Sequence, residues 1–105
     1  MKMIRAIVRP DREDKVVQAL DEAGFPSVTK CDVLGRGRQK GIRIADVIYD
    51  ELAKTYLLVV VEDAQLDRAI DAIQKGARTG HQGDGKIFVT HVERVVTVRT
   101  GEPVL

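Results

Sequence analysis

An α+β sandwich built from two strand-helix-strand units is the fold class that the sequence predicts. The first observation is a strand pattern at Met3 to Val8 followed by a helical pattern at Asp11 to Ala23. The second is the same succession later in the chain, an apolar run at Tyr56 to Val61 followed by a helical stripe that begins at Leu66. Two such units in series make the ferredoxin-like topology, in which both helices cover one face of an antiparallel sheet. We therefore expect a single domain over residues 1–105.

Composition describes an ordinary globular protein and excludes several classes. Apolar residues make up 44% of the 105 residues and charged residues 31%, and the net charge is +1. This balance gives no general attraction to nucleic acid or to a membrane surface. Arg5 and Arg9 interrupt the apolar N-terminus, so we expect no signal peptide and a cytoplasmic protein. Cys31 is the only cysteine, and we expect a buried or half-buried side chain rather than a redox group.

The first unit has clear boundaries in the sequence. Met3 to Val8 is rich in β-branched residues and ends before Pro10, as a strand followed by a turn would. Gly24 closes the helix that follows, and Val28 to Leu34 has the composition of a second strand. The apolar residues of the helix fall on one face, at Val16, Val17, Leu20 and Ala23.

The second unit repeats the first. The continuous apolar run at Tyr56 to Val61 is typical of a strand that is buried on both faces, and strands are also expected at Lys86 to Val89 and Val95 to Arg99. Apolar positions stripe the second helix at Leu66, Ala69, Ile70 and Ile73. The two units align at an offset of 53 positions, which pairs Val8 with Val61, Asp14 with Asp67, Val17 with Ile70, Ala19 with Ala72 and Leu20 with Ile73.

Such a sandwich leaves one face of its sheet uncovered. Both predicted helices lie on the same face, and the chain has no third layer for the other. A large apolar sheet face is costly to expose to water. We therefore expect the protein to form an oligomer through this open face.

A glycine-rich segment resembles the start of a phosphate-binding P-loop but differs from it in two ways. Residues 80–86 fit G-x-x-x-x-G-K, yet Ile87 stands where the magnesium-binding Ser or Thr belongs. The segment also follows a helix and opens a strand, whereas a P-loop follows a strand and opens a helix. We reject a P-loop. Gly80, Gly83 and Gly85 can still bring backbone amides close to an anion beside Lys86.

A second glycine-rich segment carries more positive charge. Gly35 to Gly41 holds three glycines and three cations and predicts a mobile loop. Arg38 and Lys40 of this loop, Lys86 and Arg99 could converge on one polyphosphate. The alternative for each segment is a turn with solvated cations, as exposed lysines and arginines usually are.

Four blocks of sequence resemble the PII signal-transduction proteins over nearly the whole chain. They are MKMIRAIVRP at 1–10, GRQKG at 37–41, RTGHQGDGKIFV at 78–89 and VRTGE at 98–102. The resemblance implies a homotrimer, or a hetero-oligomer with a paralogous PII protein, that binds ATP or ADP in clefts between subunits. It implies a regulator rather than an enzyme, with 2-oxoglutarate and Mg²⁺ as further effectors.

Site residues follow from the matching positions. The resemblance places nucleotide contacts at Thr29, Gly35, Gly37, Arg38, Gln39, Lys40, Val60, Gly83, Asp84, Gly85, Lys86 and Arg99. It places 2-oxoglutarate contacts at Gln39, Lys40, Gly41 and Lys54, with Gln39 also binding Mg²⁺ together with ATP and 2-oxoglutarate. Thr29, Gly35 and Val60 would line the adenine side. Thr97 and Leu58 depart from the family pattern, which often has an arginine and an acidic residue there, so we expect weaker nucleotide binding.

The long loop at about residues 36–53, the T-loop of the family, also departs from the pattern. Between Gly41 and Lys54 it is about four residues shorter, and Tyr49 does not match the tyrosine that many bacterial members modify with uridylate. We do not expect that modification. The short loop is similar to that of the nitrogenase-associated branch, which implies dinitrogenase as the partner. An ammonium transporter is the alternative. The expected target contacts are Arg36, Arg43, Ile44 and Ile48.

Two other classes of function remain as alternatives. A small enzyme could use His81, His91 and Asp84 for acid-base chemistry, although no nucleophile or carboxylate pair stands at motif spacing. An RNA-binding module could use a related sheet, but it needs aromatic residues for stacking and the first strand has none.

Overall fold

A computed structural model describes the backbone of residues 1–36, 42–44, 47–49 and 51–105, and the side chains of residues 1–36 and 51–105. The two helices are α1 (Glu13–Glu22) and α2 (Leu66–Ala77), each preceded by a 3-10 turn, Pro10–Arg12 or Asp63–Gln65. The strands are β1 (Lys2–Val8), β2 (Thr29–Gly35), β3 (Ile42–Ile44), β4 (Val47–Tyr49), β5 (Leu52–Val61) and β6 (Gly85–His91).

Four strands form one antiparallel sheet in the order β2-β5-β1-β6, and β3 pairs with β4 in a separate hairpin. One face of the large sheet packs against both helices. That core contains Ile4 from β1, Leu57 from β5, Leu20 from α1 and Ile73 from α2, all fully buried. The arrangement confirms the predicted ferredoxin-like α+β sandwich.

The internal repeat is visible in the backbone. The 3-10 turns begin at Pro10 and Asp63, and the helices begin at Glu13 and Leu66, so both starts keep the offset of 53 positions. The residues that precede the two helices have nearly the same conformation, with φ and ψ of −104° and −1° at Arg12 and −103° and −3° at Gln65. The aligned units are therefore structurally equivalent.

Gly24 ends α1 as predicted. It has a φ of +95°, its amide donates to the carbonyl of Asp21, and the amide of Phe25 donates to the carbonyl of Leu20 at 2.8 Å. This pair of bonds is a Schellman motif, which satisfies the last helical carbonyls and favours glycine.

Three sequence-based predictions need correction. In the single chain β5 is fully buried on one face only: Thr55, Leu57, Val59 and Val61 are buried, and the residues between them, on the other face, are half-buried. Val95 to Arg99 forms no strand, because the amide of Thr97 donates to the carbonyl of Glu102 and closes a turn instead. Cys31 is exposed because it lies on an edge strand of the sheet.

Within the long loop the structure describes only the hairpin of β3 and β4 and the residues at either end. Gly37, Arg38, Gln39, Lys40 and Gly41 lie outside the described residues. Arg43, Ile44 and Ile48 lie on the hairpin, where only the backbone is described. Mobility of the loop and the role of these residues therefore stay predictions.

The face of the sheet away from the helices, called the open face here, is largely apolar. Cross-strand pairing places the open-face residues of β1, β5 and β6 in adjoining rows. They include Met3, Arg5 and Ile7 on β1, Tyr56, Leu58 and Val60 on β5, and Phe88 on β6. Phe88 is 50% exposed in the single chain. Such a face is what the oligomer hypothesis requires.

The two helices approach most closely at Gly76, which gives a first test of the packing. A Cβ atom at this position would lie 2.8 Å from the Cα of Val16 and 2.9 Å from the carbonyl oxygen of Lys15. We expect Gly76→Ala to lower the free energy of unfolding by about 1–2 kcal/mol, because overpacking outweighs the better helix propensity of alanine. Urea unfolding measures this, with the exposed Gln74→Ala as a near-neutral control. Equal stability of Gly76→Ala and the unsubstituted protein would contradict the packing.

Candidate functional site

A cleft of about 440 Å³ lies at one end of the sheet, beside the base of the long loop. Its walls come from the ends of β1 and β2, the start of β5 and the segment at residues 79–86, called the glycine loop here. The lining residues are Ile7, Gly35, Arg36, Leu52, Lys54, His81, Gln82, Gly83, Asp84, Gly85, Lys86 and Phe88. Three of them are cations and only one is an acid, so the cleft suits an anionic ligand.

Backbone conformation explains why glycines recur in this loop. Gly80, Gly83 and Gly85 have φ values of +90°, +95° and +107°, a region that other residues adopt only with strain. Among the residues that the structure describes, none accepts a hydrogen bond from the amide of Gly83 or Asp84. These two amides are therefore available to an anion.

Asp84 ties the glycine loop together. Its Oδ2 atom accepts from the amides of Thr79 and Gly80, each at 2.9 Å, and its Oδ1 atom accepts from the Thr79 hydroxyl and from Arg9 Nε, the latter at 2.9 Å. The Thr79 hydroxyl, followed by Arg9 and the two amides, holds the pKa of the Asp84 carboxyl well below its usual range. The side chain is therefore a carboxylate at any physiological pH.

Lys54 joins the start of β5 to the same loop. Its Nζ atom donates to the carbonyl oxygen of Gly83 at 2.6 Å. Partial burial, and then repulsion from Arg9, lower the pKa of Lys54. A cation that is partly desolvated gains from a carboxylate partner, so Lys54 is suited to bind one.

The structure brings together some of the predicted site residues. Gly35, Arg36, Lys54 and residues 83–86 all line the cleft. Thr29 and Val60 also lie on the open face, but at the far end of their strands. Thr29 pairs with Leu58 and Gly35 pairs with Leu52, so about 20 Å of strand separates Thr29 from the cleft. Arg99 is exposed in the segment after β6.

Arg9 is the main residue that sequence reasoning missed. It follows β1, and besides Asp84 it contacts the carbonyl oxygen of Gln82 through Nη2. Ile7, Leu52 and Phe88 supply apolar walls and were not predicted either. Arg9 lies within the block MKMIRAIVRP, but its partner is 75 positions away, and only the sheet topology shows that they meet.

The residues proposed for other chemistry do not converge. His81 borders the cleft, whereas His91 is the last residue of β6 and lies at the opposite end of the sheet, and both are exposed. No three His, Cys, Asp or Glu side chains cluster as metal ligands within residues 1–36 and 51–105. Gln39, the predicted Mg²⁺ ligand, lies outside the described part of the chain.

A groove of about 440 Å³ on the outer side of the helices is a weaker candidate. Arg12, Lys15, Arg68 and Lys75 line it together with Glu22 and Asp71. Its cations and acids occur together with the small residues Ala19, Ala23, Ala72 and Gly76, so it is less suited to an anion than the cleft is. None of the helices in the described part of the chain has the length and apolarity needed to span a bilayer.

Comparison with known proteins agrees with this architecture. The family described as Nitrogen regulatory protein P-II matches residues 1–102. The chain is 60% identical to the nitrogen fixation nifHD1 region GlnB-like protein 1 of Methanosarcina barkeri over 103 residues, which is 98% of each chain. It is 55% identical to the nifHD region GlnB-like protein 1 of Methanothermobacter marburgensis over 97% of each chain.

A bacterial relative is similar over the same length. The nitrogen regulatory protein P-II of Azospirillum brasilense is 50% identical over 97% of this chain and 95% of its own. The names of the archaeal relatives assign them to nitrogen-fixation regions, in agreement with the resemblance to the nitrogenase-associated branch. The match over residues 1–102 and these identities show that the chain belongs to the nitrogen regulatory protein P-II family.

Proposed function

We propose that this protein is a non-enzymatic sensor that binds ATP or ADP, with Mg²⁺ and 2-oxoglutarate, and regulates nitrogenase through its long loop. The observation that carries the proposal is the cleft, where Lys54, Lys86 and Arg36 surround a glycine loop with amides free to meet an anion. Phosphates suit such a loop because backbone amides and cations together offset their charge.

The proposed site is completed by a second copy of the chain or by a paralogue. Thr29 and Val60 lie too far along the sheet to touch a ligand held by the glycine loop of the same chain. They do lie on the open face, so packing of that face against another subunit carries them toward a neighbouring cleft. Arg99 would reach the phosphates in the same way. The proposed assembly is a trimer, either homomeric or formed with the paralogue.

For 2-oxoglutarate we propose that Lys54 binds one carboxylate, while Gln39, Lys40 and Gly41 hold the rest with Mg²⁺ and ATP. Lys54 now donates to the Gly83 carbonyl, and an arriving carboxylate would compete for it. Since Lys54 lies near the start of β5, just after the long loop, a change of its hydrogen-bond partner can change the conformation of that loop. Differential binding of the two ligand states would then control contact with the target.

The experiment that tests the function is calorimetric titration with 2-oxoglutarate, with and without MgATP. We expect binding only when MgATP is present. Binding of MgATP without any binding of 2-oxoglutarate would leave an adenylate sensor and remove the roles given to Gln39 and Lys54. If neither ligand binds, even with the paralogue present, the proposed function is wrong.

Lys54→Met sharpens this test. We expect the affinity for 2-oxoglutarate in MgATP to fall by at least about tenfold, because a charge-assisted bond to a partly buried lysine is lost. The affinity for MgATP alone should change little. Lys15→Met is the matched control, since Lys15 lies on the outer side of α1. Equal weakening by both substitutions would contradict a specific role for Lys54.

The target is tested separately by capture from an extract that contains nitrogenase. The archaeal relatives carry nitrogen-fixation names, which favours dinitrogenase over an ammonium transporter. Retention of dinitrogenase that is lost on adding MgATP and 2-oxoglutarate is the expected result. Ligand-sensitive retention of the transporter alone would favour the alternative.

The structure does not favour the RNA-binding alternative. Tyr56 and Phe88 share the open face, but β1 between them carries no aromatic residue for stacking on bases.

A further inference from the structure

Asp84 lies in the middle of the proposed phosphate site, where a negative charge is unexpected. A carboxylate that faced a polyphosphate would repel it. In the structure both carboxylate oxygens are directed elsewhere, to Thr79, to the amide of Gly80 and to Arg9. The side chain therefore faces the inside of the loop.

These bonds connect two separate parts of the chain. Thr79 and Gly80 begin the glycine loop just after α2, and Arg9 follows β1. Arg9 also contacts the carbonyl oxygen of Gln82, so it meets the loop at two points. Through Asp84 the start of the loop, its middle and the end of β1 are fixed to one another.

A loop with three glycines needs such bonds to hold one conformation. Gly80, Gly83 and Gly85 allow the conformation, but glycine also has the largest freedom in the unfixed backbone. Ordering each residue of a flexible loop costs roughly 1–2 kcal/mol, which weakens binding if it occurs only when the ligand arrives. A loop that is already ordered avoids that cost.

Arg9 also neutralises the negative charge that Asp84 brings to the phosphate site. It is a salt-bridge partner of Asp84, with Nε 2.9 Å from Oδ1, and both side chains are about three-quarters buried. The pair adds no net charge next to the phosphates. Lys86 and Arg36 are then left to attract the phosphates.

We propose that Asp84 is a positioning residue, which through Thr79, Gly80 and Arg9 holds the glycine loop in its ligand-binding conformation and does not contact the ligand with its side chain. This inference rests on the proposed nucleotide site. Only the backbone amide of Asp84 would then contact the ligand. Arg9 would share the positioning role as part of the unit formed by Arg9, Thr79, Gly80 and Asp84.

Asp84→Asn distinguishes positioning from simple charge, because the two predict opposite signs. If the carboxylate only repelled phosphate, its removal would tighten MgATP binding. Positioning predicts that affinity falls about tenfold, since charge-assisted bonds to Arg9 and to two amides are weakened. Calorimetry with MgATP measures the affinity, and hydrogen exchange at Thr79 and Gly80 reports the loop. We expect faster exchange at both amides in Asp84→Asn.

Two further comparisons test the unit, and the second of them does not use Asp84→Asn. The double variant Arg9→Gln/Asp84→Asn should bind MgATP no more weakly than Asp84→Asn alone, because both substitutions remove the same salt bridge. Thr79→Val should weaken MgATP binding severalfold, and Thr79→Ser, which keeps the hydroxyl, should restore it. The Thr79 comparison remains informative if Asp84→Asn fails to fold.

The outcomes separate this inference from the proposed function. If the unsubstituted protein binds MgATP and Asp84→Asn binds it equally or more tightly, positioning by Asp84 is overturned and the nucleotide site stands. Additive losses from Arg9→Gln and Asp84→Asn would likewise overturn the coupled unit. If the unsubstituted protein binds no MgATP, both proposals fall.

Discussion

Gly85→Ala is expected to destabilise the protein by about 3–5 kcal/mol. A Cβ atom at this position would lie 1.7 Å from the carbonyl oxygen of Ile7, which is far inside contact distance. The φ of +107° is also strained for alanine. Because Gly85 pairs with Val8 at the first position of β6, relief of the clash requires β6 to separate from β1.

Urea unfolding with circular dichroism measures this loss, and Gly80→Ala provides the matched control. Gly80 has a similar φ of +90°, yet no atom lies within 4 Å of the position of its Cβ. It should therefore cost only the backbone strain, about 1–2 kcal/mol. The difference between the two variants isolates the close approach of β6 to β1. Equal losses would show that β6 does not pair with β1 in this register.

The fold was predictable because its signals are local. The stripe of apolar residues and the end of α1 at Gly24 depend on residues within one or two helical turns, and the offset of 53 positions compares two such local patterns. All three are confirmed. Val95 to Arg99 shows the limit of such signals. Its β-branched residues favour a strand, but a strand also needs a partner, and Thr97 bonds to the backbone of Glu102 instead.

The site was predictable only in part, for a similar reason. Glycine spacing indicated a loop able to hold phosphate, and the structure gives positive φ values at Gly80, Gly83 and Gly85. Contacts between distant segments left no local pattern. The bonds of Arg9 to Asp84 and of Lys54 to Gly83 span 75 and 29 positions and become visible only when the strands are placed side by side.

A substitution on the open face is expected to have a second large effect, on the oligomeric state of the protein. Thr29, Leu58, Arg5 and Phe88 form one row across the sheet, with Leu58 directly opposite Arg5. None of the open-face residues described on β1, β2, β5 and β6 is acidic. Leu58→Arg would place two cations opposite each other on a surface that the proposed trimer removes from water.

We expect Leu58→Arg to convert the assembly to monomers at micromolar concentration. An uncompensated charge buried at an interface costs about 3–5 kcal/mol, and the proposed trimer would bury one in each subunit. Light scattering after size-exclusion chromatography measures the mass, and circular dichroism checks that the monomer remains folded. The helix-side core does not include Leu58, so the fold should persist.

Leu58→Glu is the control that separates charge from the loss of apolar surface. It removes the same leucine but places an acid opposite Arg5, which can form a cross-strand pair. We therefore expect Leu58→Glu to assemble much as the unsubstituted protein does, while Leu58→Arg does not. If both variants remain oligomeric, the open face is not the interface, and the proposed route by which Thr29 and Val60 reach a neighbouring cleft is lost. If both become monomers, the apolar contact of Leu58 is what the interface requires, and Arg5 has no part in the specificity of assembly.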